Sequence, residues 1–248
     1  MYCILAALKH EVGGFLSRLS SLRKTKTAGC TVYRGNLGSI PVTVVRTGVG
    51  YGELDPVLFS GCSHVISTGY CGGLDSTLRP GDGVLSTGVV YVNACFIDRI
   101  AKKTTQPRGP RAQVRCPVVR VPDARAVESR IVSLLDGRGI RVTAGRTLTC
   151  ERVVRTRDEK ERLSRWFNAV SVDMEDFFRT AAALKAGKPV LCVRAVLDGP
   201  DDEVPLRRRA LPSAGLVRLL ENVPRAGRTI SALLSEIISS GLLEHDAP

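Results

Sequence analysis

Residues 170–198 read Val-Ser-Val-Asp-Met-Glu-Asp-Phe-Phe-Arg-Thr-Ala-Ala-Ala-Leu-Lys-Ala-Gly-Lys-Pro-Val-Leu-Cys-Val-Arg-Ala-Val-Leu-Asp. A short extended piece, Val170–Val172, gives way to a helical stretch, Met174–Ala186, which Gly187 stops. Val190–Leu197 is then apolar without polar alternation, as a strand covered on both faces is. Strand, helix and strand in so short a span are the unit of an α/β sheet.

The same alternation extends outward in both directions. Tyr2–Leu8 is another continuous apolar run. Glu11–Lys24 places Val12, Phe15, Leu16, Leu19 and Leu22 at helical spacing. Thr31–Leu37 and Ile40–Thr47 flank Gly38-Ser39 and predict a hairpin. His64–Thr68, Gly83–Val92 and Arg141–Thr149 read as strands, and Ala124–Asp136 and Asp158–Phe167 as helices. Two further helices are expected at Ser213–Glu221 and Ala226–Ser239. Ala101–Pro117, rich in Pro, Gly and Arg, reads as a long surface loop. These elements predict a three-layer αβα sandwich around a central mixed β-sheet, with one domain over residues 1–248.

Bulk properties narrow the class. The composition is 44% hydrophobic and 24% charged, ordinary for a globular chain. Eight cysteines are present without a Cys-x-x-Cys pair, and His10, His64 and His245 are scattered, so no zinc-type spacing exists. Cysteines inside apolar runs, such as Cys192, are expected as small buried groups in a reducing cytoplasm. The apolar start is followed at once by Lys9, His10 and Glu11 and reads as a buried strand, not a signal peptide. No apolar run approaches the roughly 18 residues of a spanning helix. The net charge is +12, densest at Arg99–Arg115 and Arg207–Arg209. No aromatic residues interleave with these basic residues, which argues against nucleic-acid binding; peripheral contact with an anionic membrane stays open.

Ligands of α/β sheets sit at the carboxyl ends of strands. Five such places carry polar or glycine residues: Glu11, Gly48–Gly52, Gly69–Gly73, Asp173-Met174-Glu175 and Asp198. Each has a bland alternative, a turn glycine or a first-turn helix acid. Gly48–Gly52 is not a dinucleotide fingerprint, and neither a Walker A sequence nor a Gly-x-Ser-x-Gly elbow occurs.

Together these segments resemble the methylthioadenosine/S-adenosylhomocysteine nucleosidases of the purine nucleoside phosphorylase superfamily. The resemblance lies in Ala7-Leu-Lys-His-Glu11-Val12, Thr47-Gly-Val-Gly50, Val65–Leu74 followed by Leu78-Arg-Pro-Gly81-Asp82, Val172-Asp-Met174-Glu175 and Val193-Arg194-Ala195-Val-Leu-Asp198, in that order. It implies that Asp198 protonates the leaving purine at N7, that Glu11 activates the attacking water, and that Glu175 and Met174 hold the ribose. It further implies that Gly72 and Gly73 let backbone approach base and sugar, that Val153 and Val154 flank the purine, and that Leu8 and Val49 complete the substrate contacts. Arg194 is implied to order the acidic site. Neither metal nor cofactor is implied; a homodimer is.

The sequence departs from the family at Leu197, where a serine is usual, and at Tyr70, where a small residue is usual. The aromatic ring expected near Val153 is missing. These departures predict the same reaction on an altered 5′-substituted adenosine. The end of the chain, Leu206–Leu234, resembles that of hopanoid-associated nucleosidases, which implies an adenosylhopane-like substrate beside a basic rim at Arg207–Arg209. The alternatives are a phosphate-dependent phosphorylase, for which Arg46 is the candidate cation, and a non-catalytic nucleoside-binding protein.

Overall fold

The computed structural model describes residues 1–27, 29–50, 54–102, 118–120, 124–205 and 214–243. The basic run Arg207–Arg209 and most of Ala101–Pro117 lie outside them.

Ten strands form one mixed sheet: β1 (Tyr2–Ala6), β2 (Ser20–Thr27), β3 (Cys30–Leu37), β4 (Ile40–Arg46), β5 (His64–Gly73), β6 (Gly83–Val92), β7 (Val118–Arg120), β8 (Val142–Cys150), β9 (Ala169–Asp173) and β10 (Val190–Asp198). The helices are α1 (Lys9–Leu16), α2 (Ala94–Lys102), α3 (Ala124–Asp136), α4 (Arg157–Phe167), α5 (Asp176–Lys185) and α6 (Ala214–Ser239). β1 lies between β4 and β5, parallel to both, and every residue of it is buried. That position is why its sequence is apolar throughout.

β5 organises the rest. On one edge it pairs with β10 along nearly its whole length, Val65 to Gly72. On the other edge it pairs with β1 up to Ser67 and with β9 only at Gly72 and Gly73. With β6 joining β10 to β8, and β8 joining β9, the strands β5, β10, β6, β8 and β9 close into a ring. Buried hydroxyls, Ser86 to Thr147 (2.6 Å) and Thr147 to Ser171 (2.9 Å), pair with one another across three of these strands. Buried polar groups must find such partners.

Alternation along β5 assigns the helices to faces. Ser67 hydrogen-bonds Asp176 of α5, whereas Tyr70, three residues on, stacks on His10 of α1. Odd spacing in a strand means opposite faces. One face therefore carries α5, and the other carries α1 with α6 packed against it.

Three expected elements differ. The helix read over Glu11–Lys24 ends at Leu16, and Ser20–Thr27 is an edge strand paired antiparallel with β3. Leu19 is buried but Leu22 is exposed, so the helical spacing was coincidental. Arg23, Lys24 and Lys26 mark an edge guarded by charge. The glycines 69–73 form no turn; they continue β5. The two C-terminal helices are one, α6, running through Pro224. Proline removes one backbone bond from a helix, and the packing of α6 on α1 and β10 holds the helix together across it.

Candidate active site

Glu11 lies in the first turn of α1 and is buried, 4% exposed. Its Oε2 accepts the amides of Ala7 (2.8 Å) and Leu8 (2.7 Å). Its Oε1 accepts the amide of Tyr70 at 3.2 Å. That amide falls in the stretch of β5 between the end of its pairing with β1 and the start of its pairing with β9, and Glu11 takes the place of a neighbouring strand. Gly69, at φ +151°, makes the approach possible: a Cβ there would lie 2.5 Å from Arg194 Nη1 and 2.9 Å from Glu11 Oε1.

Arg194 points from β10 into the same place and is completely buried. It binds Asp176 through Nε (3.0 Å) and Nη2 (2.5 Å), and Asp173 at 2.7 Å, with Glu175 3.6 Å from its Nη1. Glu175, at the start of α5, accepts the amide of Gly50 at 3.1 Å, which ties the Gly48–Gly50 loop to the acids. Buried Arg179 donates to the carbonyl of Thr68 and to Thr47 Oγ1. Asp173, Glu175 and Asp176 thus share the Arg194 guanidinium, with Arg179 and Glu11 close enough to act on each other and on the cluster through their charge. Burial pushes Asp173 well above the usual carboxyl range, against the pull of Arg194. Burial opposes ionisation of Asp176 as well, but the Arg194 charge and the hydrogen bonds from Arg194 and Ser67 outweigh it and hold this carboxyl below its usual range.

Asp198 forms a second station on the same strand. The β10–β5 register shifts between Val196 and Asp198, which inserts Leu197 as a bulge and brings Asp198 opposite Gly72. A Cβ on Gly72 would lie 3.1 Å from Asp198 Oδ2. Gly69 and Gly72 are three residues apart, a rise of about 10 Å along β5 at ~3.3 Å per residue. Burial raises the Asp198 carboxyl, while Lys160 opposes the rise. Lys160 of α4 is fully buried and donates to Asp198 Oδ2 at 2.5 Å. A cavity of about 270 Å³ opens beside Asp198, between Asp202 and Asn222.

The expected residues fall around these stations unevenly. Leu8, Glu11 and Glu175 meet at the first, with Val49 exposed beside Gly50 and Met174 half-buried between Asp173 and Glu175. Gly72, Gly73 and Asp198 meet at the second, where Gly73 backs onto the carbonyl of Asp198. Val154 is buried in the cluster that includes Val172 and Leu74, while Val153 is 46% exposed. Tyr70 turns away from the acids: its hydroxyl donates to the carbonyls of His10 and Val223 and braces α1 against α6. Leu197 packs against the main core and its carbonyl accepts from Asn222. Arg46 donates to Thr31 on the hairpin.

Lys160, Asp176 and Arg179 were not expected at the site, and Asp173 was named at its strand end without a role of its own. Asp176 and Arg179 carry a signal in hindsight: both lie on the helix that follows Glu175. Lys160 carries none, since Arg157-Asp-Glu-Lys-Glu-Arg162 has the composition of a solvated helix face.

Comparisons with known proteins bear on the family and the fold. The phosphorylase superfamily model matches residues 1–239. A 5′-methylthioadenosine/S-adenosylhomocysteine nucleosidase from Neisseria meningitidis, solved with methylthio-immucillin-A, is 18% identical with a TM-score of 0.72, over 96% of this chain and 98% of that one. Its counterpart from Colwellia psychrerythraea, solved with adenine, is 21% identical with a TM-score of 0.72, over 96% and 94%. A futalosine hydrolase mutant from Helicobacter pylori is 15% identical with a TM-score of 0.73, over 96% and 98%. The mixed sheet with helices on both faces is the fold these proteins share, and with the family match over nearly its whole length the chain belongs to the phosphorylase superfamily.

Proposed function

We propose that this protein is a purine-nucleoside N-ribosyl hydrolase that releases adenine from a 5′-substituted adenosine. The observation that carries the reading is the pair of acid stations on β5. Asp198, its carboxyl raised by burial, is suited to hold a proton and give it to a leaving purine. Glu11, fixed by three backbone amides, is suited to orient a water and take its proton. An acid for the leaving group paired with a base for the water is the logic of glycoside hydrolysis. Glu175 holds the ribose hydroxyls and Met174 packs on the sugar; Gly72, Gly73, Val153 and Val154 border the base, and Leu8 and Val49 the sugar side. The named ligands of the structural neighbours, adenine and methylthio-immucillin-A, fit this class.

Water is favoured over phosphate as the nucleophile. Among the described residues the guanidiniums beside Glu11 are Arg179 and Arg194, both buried and already bonded. The carboxylates around them, Asp176 among them, repel a further anion. The reading includes a homodimer in the cytoplasm with residues 1–248 as one domain; no helix among the described residues is long and apolar enough to cross a membrane. A methylthioadenosine-like or an adenosylhopane-like 5′ group are its two candidate substrates.

The test is base release from adenosine, methylthioadenosine, S-adenosylhomocysteine and inosine, with and without phosphate. Phosphate-independent adenine release that falls about 10²- to 10⁴-fold in Asp198→Asn supports the proposal. Release only with phosphate makes the protein a phosphorylase. Binding without turnover of any 5′-substituted adenosine, an adenosylhopane-type lipid included, makes it a nucleoside-binding protein.

A further inference from the structure

We propose that Lys160 is a positioning residue for Asp198, fixing which carboxyl oxygen carries the transferable proton and how readily that proton leaves. This rests on the nucleosidase reading. Lys160 lies in a charged stretch of α4, yet it is 0% exposed. Its ammonium group donates to Asp198 Oδ2 (2.5 Å), the Gly199 carbonyl (2.6 Å) and the Asp202 carbonyl (2.8 Å). An ammonium has three hydrogens and accepts nothing, so this set is complete. A surface lysine gains nothing from such enclosure; a buried one is retained only where its partners offset the desolvation.

The arrangement distinguishes the two oxygens of Asp198. Oδ2 already accepts from Lys160, so the acid proton resides on Oδ1. In the reaction that proton passes from Oδ1 to the purine as the glycosidic C–N bond breaks with its electron pair going to the base. Water adds its oxygen to the anomeric carbon and loses a proton to the Glu11 carboxylate. Asp198 is left as a carboxylate beside the Lys160 ammonium. The ion pair therefore strengthens as the proton leaves, and such an interaction accelerates the chemical step. Burial keeps the proton on Asp198; Lys160 keeps it from being held too tightly.

The other charged groups facing Asp198 are Asp202 on its own exit loop and, across the adjoining cavity, Asp201, Glu203 and Arg218 of α6. From β5 comes Gly72, with the buried Cys71 thiol behind it. Lys160 is the cation bonded directly to the carboxyl.

The test compares the wild type with Lys160→Met, Lys160→Gln and Lys160→Arg. The pH dependence of kcat/KM is measured, together with the titration of the Asp198 carboxyl by carbon-13 NMR, assigned with Asp198→Asn. Activity needs protonated Asp198 and falls as pH rises through its pKa. Removing the cation makes Asp198 the weaker acid. In Lys160→Met the alkaline limb and the NMR titration therefore both move to higher pH, with kcat down about tenfold or more and KM within about threefold. Lys160→Arg restores much of both. Should Lys160→Met not fold, Lys160→Gln, which keeps a donor without charge, carries the comparison. An unmoved limb and titration in a folded, charge-free variant overturn the proposal while the nucleosidase reading stands. If the wild type releases no base, that reading fails instead, and the NMR titration alone decides whether Lys160 governs the Asp198 proton.

Discussion

The two acid stations on β5 solve opposite electrostatic problems. Around Gly69, Asp173, Glu175 and Asp176 are packed on the buried Arg194, with Glu11 and the buried Arg179 beside them. Around Gly72, one carboxyl faces one buried lysine, with a cavity on its other side. The first is built to stay fixed, and the second to gain and lose a proton. A single strand serves both because it changes neighbours partway, from β1 to β9.

The largest effect that tests this contrast is on stability. Arg194→Met leaves three carboxyl groups without their shared cation and should cost about 3–5 kcal/mol or prevent folding. Thermal unfolding checks this, and a folded variant with an unchanged melting temperature would dissolve the distinction between the stations. Gly69→Ala should cost about 1–3 kcal/mol for the backbone conformation alone, before its Cβ meets Arg194. Gly72→Ala, whose Cβ meets Asp198 Oδ2 at 3.1 Å, should lower turnover with a far smaller loss of stability.

The pH dependence of folding separates neighbours within the first station. Asp173 has a raised pKa, so its contribution is present below the unfolded value of about 3.9 and is lost as pH rises through the folded value. The advantage of wild type over Asp173→Asn should therefore be largest near pH ~4 and shrink as pH rises. Asp176 has a lowered pKa, so its contribution is present above about 3.9 and is lost as pH falls through the folded value. Denaturant unfolding of Asp173→Asn and Asp176→Asn across pH tests both, and parallel curves for the two variants would show that Arg194 treats the acids alike. The smallest effect belongs to Tyr70→Phe, which removes the hydroxyl bonds to His10 and Val223. It should cost about 1 kcal/mol and leave turnover within about twofold.

Much of this was legible before the structure. Gly83–Val92 and Ala124–Asp136 appear with the bounds their periodicity predicts. Glu11, Glu175 and Asp198 stand at strand ends, where ligands of α/β sheets gather, and they converge on β5 and the strands paired with it. Ser20–Thr27 was misread because an edge strand buries nothing and so carries no strand-like alternation of its own. The break expected in α6 failed for a related reason. Proline is a local signal, and the packing that overrides it comes from α1 and β10.

The sequence by itself determined the alternation of elements and the chemical types at the strand ends, because periodicity and turn residues act over a few neighbours. Tertiary structure alone decided the ring closed by β5, the pairing of Arg194 with three acids and the burial of Lys160 against Asp198. Thirty-eight residues separate that lysine from its partner. Whether a charged side chain is solvated or enclosed depends on what the folded chain brings to it from that distance, and no local pattern records it.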